Sequence, residues 1–373
     1  MTEILLIIFF ISVLLFFLGS GIWVALSMIG VSAIGMMLFT SRPVGDAMAT
    51  TIWGTSSSWT LTALPLFVWM GEILFRTKLS ENLFKGLSPW MQKLPGGLIH
   101  VNVVGCALFA AISGSSAATV ATVGKMSIPE LRKRNYPEKI LLGSLAGSGT
   151  LGLLIPPSII LIIYGVAVQE SIAKLFIAGI IPGIMIALIF MSYVIIWSLI
   201  NKKSMPKIME EYSFLEKIKR SKQLLPVIIL ILAVIGSIYT GIATATEAAS
   251  LGVVGALILS YFQKSLTLKT FKSSLLGATK TSCMIAFILA GSTFLSLAMG
   301  FTGLPRNLAL WIQNMDLSPY VLIFVLMIFY IILGMFLDGI SAVVLTMAII
   351  EPMIRQAGFD MIWFGIFLVV VVE

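Results

Sequence analysis

The sequence predicts an all-α integral membrane protein built as an inverted repeat, with two re-entrant helical hairpins and discontinuous helices. Three observations carry that prediction. First, 59% of the 373 residues are hydrophobic and only 11% are charged, with a mean hydropathy of +1.07. A soluble domain carries roughly 25% charged residues to make its polar shell. Second, several apolar runs approach or exceed the span length of about 20 residues that crosses a hydrocarbon core. They are Ile4–Leu18, Ile22–Phe39, Ile172–Ile200, Leu224–Tyr239, Ala248–Phe262 and Leu275–Met299. Third, three further apolar stretches are cut internally by small or polar residues and proline.

In chain order, Ile4–Leu18 has no basic segment before it and no cleavage site, so it reads as a mature span. Gly19-Ser20-Gly21 turns it into the second span. A polar stretch, Thr40–Thr60, precedes a third span, Leu61–Leu74. In Arg76–Lys93, Leu79, Leu83, Leu87 and Trp90 recur at helical spacing, which suits a helix lying along the membrane interface. Leu98–Leu131 follows, cut by Ser113-Gly114-Ser115-Ser116. Its first arm, Leu98–Ile112, is only about 22 Å long at 1.5 Å per residue, too short to cross comfortably. Two short arms meeting at a Gly/Ser tip describe a hairpin that enters and leaves by one side. Irregular backbone at that depth survives only inside protein or along a cavity.

Ile140–Val168 is long enough to cross but carries Gly149-Thr150-Leu151-Gly152 and then Pro156-Pro157-Ser158. Two prolines delete two backbone donors and clash with the preceding turn. A discontinuous helix is expected, unwound across Gly149–Ile155, with the prolines starting its second half. The charged stretch Asn201–Gln223 separates two halves. After it come three spans, a connector at Thr302–Tyr320, and Val321–Met353, interrupted by Gly334 through Ser341 with Asp338 among them. Met361–Val372 is the last apolar run.

Charge orients these elements, because cytoplasmic loops hold the Lys/Arg excess. With Leu98–Leu131 as a hairpin, twenty of the 24 Lys and Arg fall on one side, leaving Arg42, Lys174, Arg306 and Arg355 opposite. The N-terminus then lies outside, and the second hairpin enters from the side opposite to the first. Opposed re-entrant elements in two halves mark an inverted repeat with its sites near the midplane. The net charge of +8 is spread through these loops, so it speaks for orientation and not for nucleic acid.

Broken helices leave unpaired carbonyls at one end and unpaired N–H groups at the other. Carbonyl ends suit a cation such as Na⁺, and N-terminal ends suit a carboxylate. Ser113, Ser115, Ser116 and Thr150 add hydroxyls, while Gly149 and Gly152 permit close backbone approach. The bland reading is close helix packing by small residues. Two tips and a Pro-Pro break in one consistent topology favour ion-coupled solute transport. Asp338, an acid within an apolar stretch, is a functional candidate by default and also a cap for the helix around Ser341. Glu247 stands in the first turn of a helix, where an acid caps. Cys106 and Cys283 make no metal or disulfide pattern, and His100 is the only histidine.

Ile112 through Gly124 (ISGSSAATVATVG), Gly149 through Ser158 (GTLGLLIPPS) and Thr246-Glu247-Ala248-Ala249 resemble the large membrane subunit of tripartite ATP-independent periplasmic (TRAP) transporters. The resemblance covers essentially the whole chain. It implies an elevator-type, ion-transporter-superfamily-like importer in a bacterial inner membrane, driven by Na⁺. Its expected partners are a small four-helix membrane subunit and a periplasmic substrate-binding protein, and its substrates are carboxylates such as C4-dicarboxylates or sialic acids.

By that resemblance, residues 1–97 form scaffold helices and the interfacial segment, and 98–168 form the first half of a transport domain. Residues 169–300 return to scaffold, with linker 201–223, and 301–373 form the second half. Na⁺ would be held by Ser113, Gly114, Ser116, Gly149, Thr150, Gly152 and Pro156, with Gly334 and Gly339 in the second half. The substrate would meet Ser115, Ser116, Pro156, Pro157, Asp338 and Ser341. The family continues past the equivalent of Glu373 with a second Pro-Pro break, so this chain is expected to be truncated. Met347–Pro352 also departs from the family pattern at Ala348 and Glu351.

Other readings are weaker. A membrane-embedded enzyme would need a catalytic cluster, and one histidine without a partner argues against it. A channel would need a continuous pore, which broken helices in inverted repeats fit less well than alternating access. An ion-coupled carboxylate transporter of the same superfamily that works without a binding protein stays open.

Overall fold

The structure, a computed structural model, describes residues 2–76, 79–206, 212–222, 224–303, 307, 318–335, 337 and 339–372. Among them every regular element is helical. In chain order the helices are α1 (Thr2–Gly19), α2 (Val24–Phe39), α3 (Val44–Ser56), α4 (Ala63–Phe75), α5 (Leu79–Met91), α6 (Ile99–Ser113) and α7 (Ser116–Lys133). Next are α8 (Glu138–Gly149), α9 (Leu151–Leu154), α10 (Ile159–Ala167), α11 (Ile172–Ile200), α12 (Phe214–Ser221), α13 (Leu225–Tyr239), α14 (Ala245–Phe262) and α15 (Leu268–Thr302). The last three are α16 (Pro319–Gly334), α17 (Gly339–Gln356) and α18 (Met361–Val372).

Local chemistry sets several boundaries. At the start of α14, Thr244 N–H donates to Glu247 Oε2 (2.8 Å) and Glu247 N–H donates to Thr244 Oγ1 (3.3 Å). This is a capping box, in which two orphan donors are satisfied reciprocally, so Glu247 is the cap its position predicted. Ser115 caps α7 through Ala118 N–H. Gly114 ends α6 in the left-handed region at φ +57°, a conformation that costs glycine nothing.

Among the described residues, four helices can cross a membrane alone by length and composition: α11, α14, α15 and α17. Up to seven spans result if three bent pairs each count as one. Two features add to the sequence reading here. The polar stretch Thr40–Thr60 is mostly helix: α3 occupies Val44–Ser56, and a short 3-10 turn begins at Trp59. Its threonine hydroxyls bond back to carbonyls one turn earlier, as Thr51 does to Ala47 (2.7 Å), so a polar sequence still closes its helical turns. The arm α17 is among the helices long and apolar enough to cross.

The chain divides into two compact units, one of Ala63–Leu161 with Ile172–Lys280, the other of Met1–Thr62, Ile162–Ser171 and Thr281–Glu373. In the first, α6 and α7 lie side by side. A Cβ on Gly105 would meet Val123 at 3.6 Å, and these residues stand equally far from the Gly114 turn. The base of the pair is tied by Leu98 N–H donating to the Tyr136 hydroxyl oxygen (3.1 Å). Burial pushes the Tyr136 pKa up, so the hydroxyl stays neutral. Their shared core includes Val101, Cys106, Phe109, Val123 and Leu131.

In the other unit, Tyr330 and Thr346 share a hydrogen bond of 2.7 Å across α16 and α17, so these two also run as a pair. Gly334 packs on the backbone of α18, where its Cβ would come within 2.5 Å of the Val372 carbonyl oxygen.

Large apolar side chains cover the outside of several helices. On α11, Ile181 is 77% exposed, and Ile184, Leu188, Tyr193 and Ile200 join it. A helix apolar all round belongs in lipid or inside a larger assembly.

Candidate functional site

The tip Ser113–Ser116 sits against the break in the Glu138–Ala167 segment. A Cβ on Gly152 would fall 2.8 Å from the Ser115 carbonyl carbon and oxygen and 2.9 Å from Ser116 N. A Cβ on Gly114 would lie 3.1 Å from the Pro157 oxygen and from Ile159 N. Gly149 faces Val120 of α7, whose Cγ2 would overlap any Cβ there. Ser113, Gly114, Ser115, Ser116, Gly149, Gly152 and Pro157 are thus brought together by the fold, with Thr150 and Pro156 inside the same segment.

The break differs from expectation in its extent. Leu151–Leu154 is a helical turn, and the non-helical backbone is confined to residues 155–158. The reason is that Gly149–Leu154 keeps its donors, with Leu153 N–H bonding the Thr150 oxygen (3.1 Å) and Ile155 N–H the Leu151 oxygen (3.0 Å). The prolines, joined by a cis bond, have no N–H to continue that ladder. Nor do they begin the second half. Ser158 does so as its cap: its oxygen accepts from Leu161 N–H (3.3 Å), and its hydroxyl donates to the Leu153 oxygen.

The tip is internally wired. Ser113 and Thr119 hydroxyls share a bond of 2.8 Å, and the Ser115 carbonyl accepts from Thr119 Oγ1 (2.7 Å) and Thr119 N–H (3.0 Å). Thr150 Oγ1 donates to the Gly147 oxygen (2.8 Å) and keeps its lone pairs for another partner. The donor set is hydroxyl and carbonyl oxygen, the chemistry a hard cation takes. Among the described residues, no three His, Cys, Asp or Glu gather as a metal group. The N-terminus of α7 opens at the same tip, and its positive end favours an anion.

The second-half candidates belong to the other unit. Gly334 ends α16, Gly339 begins α17, and Ser341 is buried in its first turn. Asp338 lies outside the described residues.

Several residues that hold the site in place went unnoticed in the sequence. Gly71 of α4 supports the tip: its Cβ would be 3.0 Å from the Ile112 oxygen. Fully buried Asn102 of α6 donates to the Leu141 oxygen (3.2 Å) and to Ser144 Oγ (3.0 Å) of α8. Ser148, next to Gly149, donates back to the Asn102 oxygen (3.4 Å). An asparagine within an apolar arm was the available signal. In the other unit, Arg355 of α17 pairs with Glu351 (2.9 Å) and Glu170 (3.8 Å) and donates to the Val168 oxygen (2.9 Å) at the end of α10. Glu351, a departure from the expected pattern, thereby has a partner.

A sequence profile described as "Tripartite ATP-independent periplasmic transporter, DctM component" matches residues 9–373. Among curated relatives, the C4-dicarboxylate TRAP transporter large permease protein of Pseudomonas aeruginosa is 32% identical, over 91% of this chain and 79% of its own. The sialic acid TRAP transporter large permease protein of Vibrio cholerae is 30% identical, over 94% and 81%. The 2,3-diketo-L-gulonate TRAP transporter large permease protein of Escherichia coli is 31% identical, over 87% and 76%.

Proposed function

Because this chain belongs to the DctM component family of tripartite ATP-independent periplasmic transporters, we propose that it imports an organic acid across the bacterial inner membrane by Na⁺ symport. Its working form is a complex with a small membrane subunit and a periplasmic binding protein that delivers the substrate. The observation that supports the reading best is the seating of the Ser113–Ser116 tip on Gly152 and Pro157. It gathers hydroxyl and carbonyl oxygens for a cation beside a helix N-terminus for a carboxylate.

In this reading Ser113, Gly114, Ser116, Gly149, Thr150, Gly152 and Pro156 hold Na⁺ in the first half, and Gly334 and Gly339 contribute in the second. Ser115, Ser116, Pro156, Pro157, Asp338 and Ser341 face the carboxylate. The elements carrying these residues move as an elevator against the remaining helices, and the N-terminus is periplasmic. The names of the relatives place C4-dicarboxylates, sialic acid and diketogulonate among the acids to test first.

The test is uptake by proteoliposomes holding this chain and its small subunit, with each binding protein–substrate pair added outside. Accumulation is expected to require both an inward Na⁺ gradient and the binding protein. Uptake unchanged when the gradient is collapsed would remove the Na⁺ part. Uptake without any binding protein would favour the single-component transporter instead.

A further inference from the structure

The short helix α12 and its neighbour α5 make a surface that the transport reading does not use. Residues 213–222 hold Lys217, Lys219, Arg220 and Lys222 against a single acid, Glu216. Glu216 is occupied locally, accepting from Ser213 N–H (3.1 Å) in a capping box. Beside these cations, Phe214 is 67% and Leu215 79% exposed, and Ile218 is exposed as well.

The helix is fixed against α5 by Trp90. Its indole Nε1–H donates to Ser221 Oγ (2.7 Å), its ring meets Phe214 edge-on (6.2 Å), and Lys217 Nζ lies over it at 5.4 Å. Arg220 stacks on Tyr212 at 4.2 Å. The axis of α12 is bent 58° from α13. When α13 crosses the bilayer, that bend lays α12 towards the plane of the headgroups.

We propose that α12, braced by Trp90, is an interfacial docking surface for anionic phospholipid, with Lys219, Arg220 and Lys222 meeting the headgroup phosphate and Leu215 and Ile218 entering the acyl boundary. A zwitterionic headgroup would leave this excess of cations unneutralised. Exposed Leu and Phe would be misplaced on a surface that took a free anion from water. Basic residues beside a membrane surface each strengthen attachment to anionic lipid, and an apolar face sets the depth.

The experiment places the full chain in phosphatidylcholine vesicles carrying a minor fraction of phosphatidylglycerol with a photoactivatable headgroup, and maps the crosslinked peptides. Labelling is expected in residues 212–222. The triple variant Lys219→Gln, Arg220→Gln, Lys222→Gln should lose it by at least about fivefold. The milder Lys219→Gln alone should show a partial loss, which guards against a folding defect. Raised salt should weaken labelling of the wild type by screening.

Labelling equal to that from photoactivatable phosphatidylcholine would overturn the proposal, as would a triple variant labelled like wild type. Competition by millimolar inorganic phosphate would also overturn it, by marking the surface as a site for free anions.

Discussion

Gly149 and Gly152 stand three residues apart, yet a methyl group meets a different obstacle at each. At Gly152 the obstacle is the backbone of Ser115 and Ser116, at 2.8–2.9 Å. At Gly149 it is the Val120 side chain. Overpacking costs about 1–3 kcal/mol, but a side chain can be trimmed and a backbone cannot. Gly149→Ala should therefore lower the apparent Tm of the purified protein, and adding Val120→Ala should restore most of it. Gly152→Ala should not be rescued by any neighbouring truncation, and Na⁺-dependent uptake should be lost with it. Equal rescue at both positions would show that the tip does not seat on Gly152.

Ser116→Ala and Thr150→Ala test the ligands themselves. Each removes one hydroxyl without adding volume. Each is expected to raise half-saturating Na⁺ by about tenfold, equivalent to ~1.4 kcal/mol, with folding intact. Unchanged Na⁺ dependence in both would move the cation elsewhere. These candidates were readable in the sequence because small polar residues inside apolar runs are conspicuous. The identity of their neighbours was not. Nothing in the spacing of Val120 or Gly71 says that they face Gly149 or Ile112, since those contacts join segments distant along the chain.

At the scale of elements, the seating of the tip depends on α6 keeping its register against α8. Asn102 sets that register with two donated bonds and one accepted at its backbone. It lies eleven residues before Ser113, about 16 Å along the helix. Truncating one partner of a buried bond costs about 1–3 kcal/mol. Asn102→Ala should lower apparent stability by that amount and also weaken Na⁺ dependence, although it is remote from the tip. Tyr136→Phe, which removes only the acceptor for Leu98 N–H, should cost about 1 kcal/mol and leave Na⁺ dependence alone, because it acts at the hairpin base. Thermal unfolding in detergent and uptake against Na⁺ concentration separate the two. If both variants changed Na⁺ dependence alike, the hairpin would respond as one rigid piece and the Asn102 register would carry no special role.

The hairpin and the break were legible at this scale because proline and glycine punctuate helices by simple sterics. The extent of the break was not legible. Leu151–Leu154 closes a turn that Gly149 and Gly152 had suggested would stay open, because no proline interrupts its own donors. The helix in Thr40–Thr60 was hidden for a related reason: its threonines satisfy their hydroxyls on the previous turn, which polarity alone does not reveal.

For the molecule as a whole, what the sequence supplied was a count of charges, and the count carries a topology. Twenty of 24 basic residues share a side only when Leu98–Leu131 enters and leaves by one face. The side-by-side packing of α6 and α7, tied at the base by Tyr136, has the shape that count requires. Sidedness itself is set by lipid and by charge, so it is tested in cells. With exposed Cys283 replaced by Ser and buried Cys106 kept as an unreactive background, cysteines introduced one at a time at Lys93 and Lys133 flank the hairpin. Both should react with a membrane-impermeant maleimide only after the inner membrane is opened. Cysteines at Ser57 and Ile242, on the opposite side, should react in cells whose inner membrane is intact. A hairpin that instead crossed the membrane would place Lys93 and Lys133 on different sides, and one of the two would label without opening. That result would also remove the charge argument for opposed re-entrant elements, because every later element takes its side from this one.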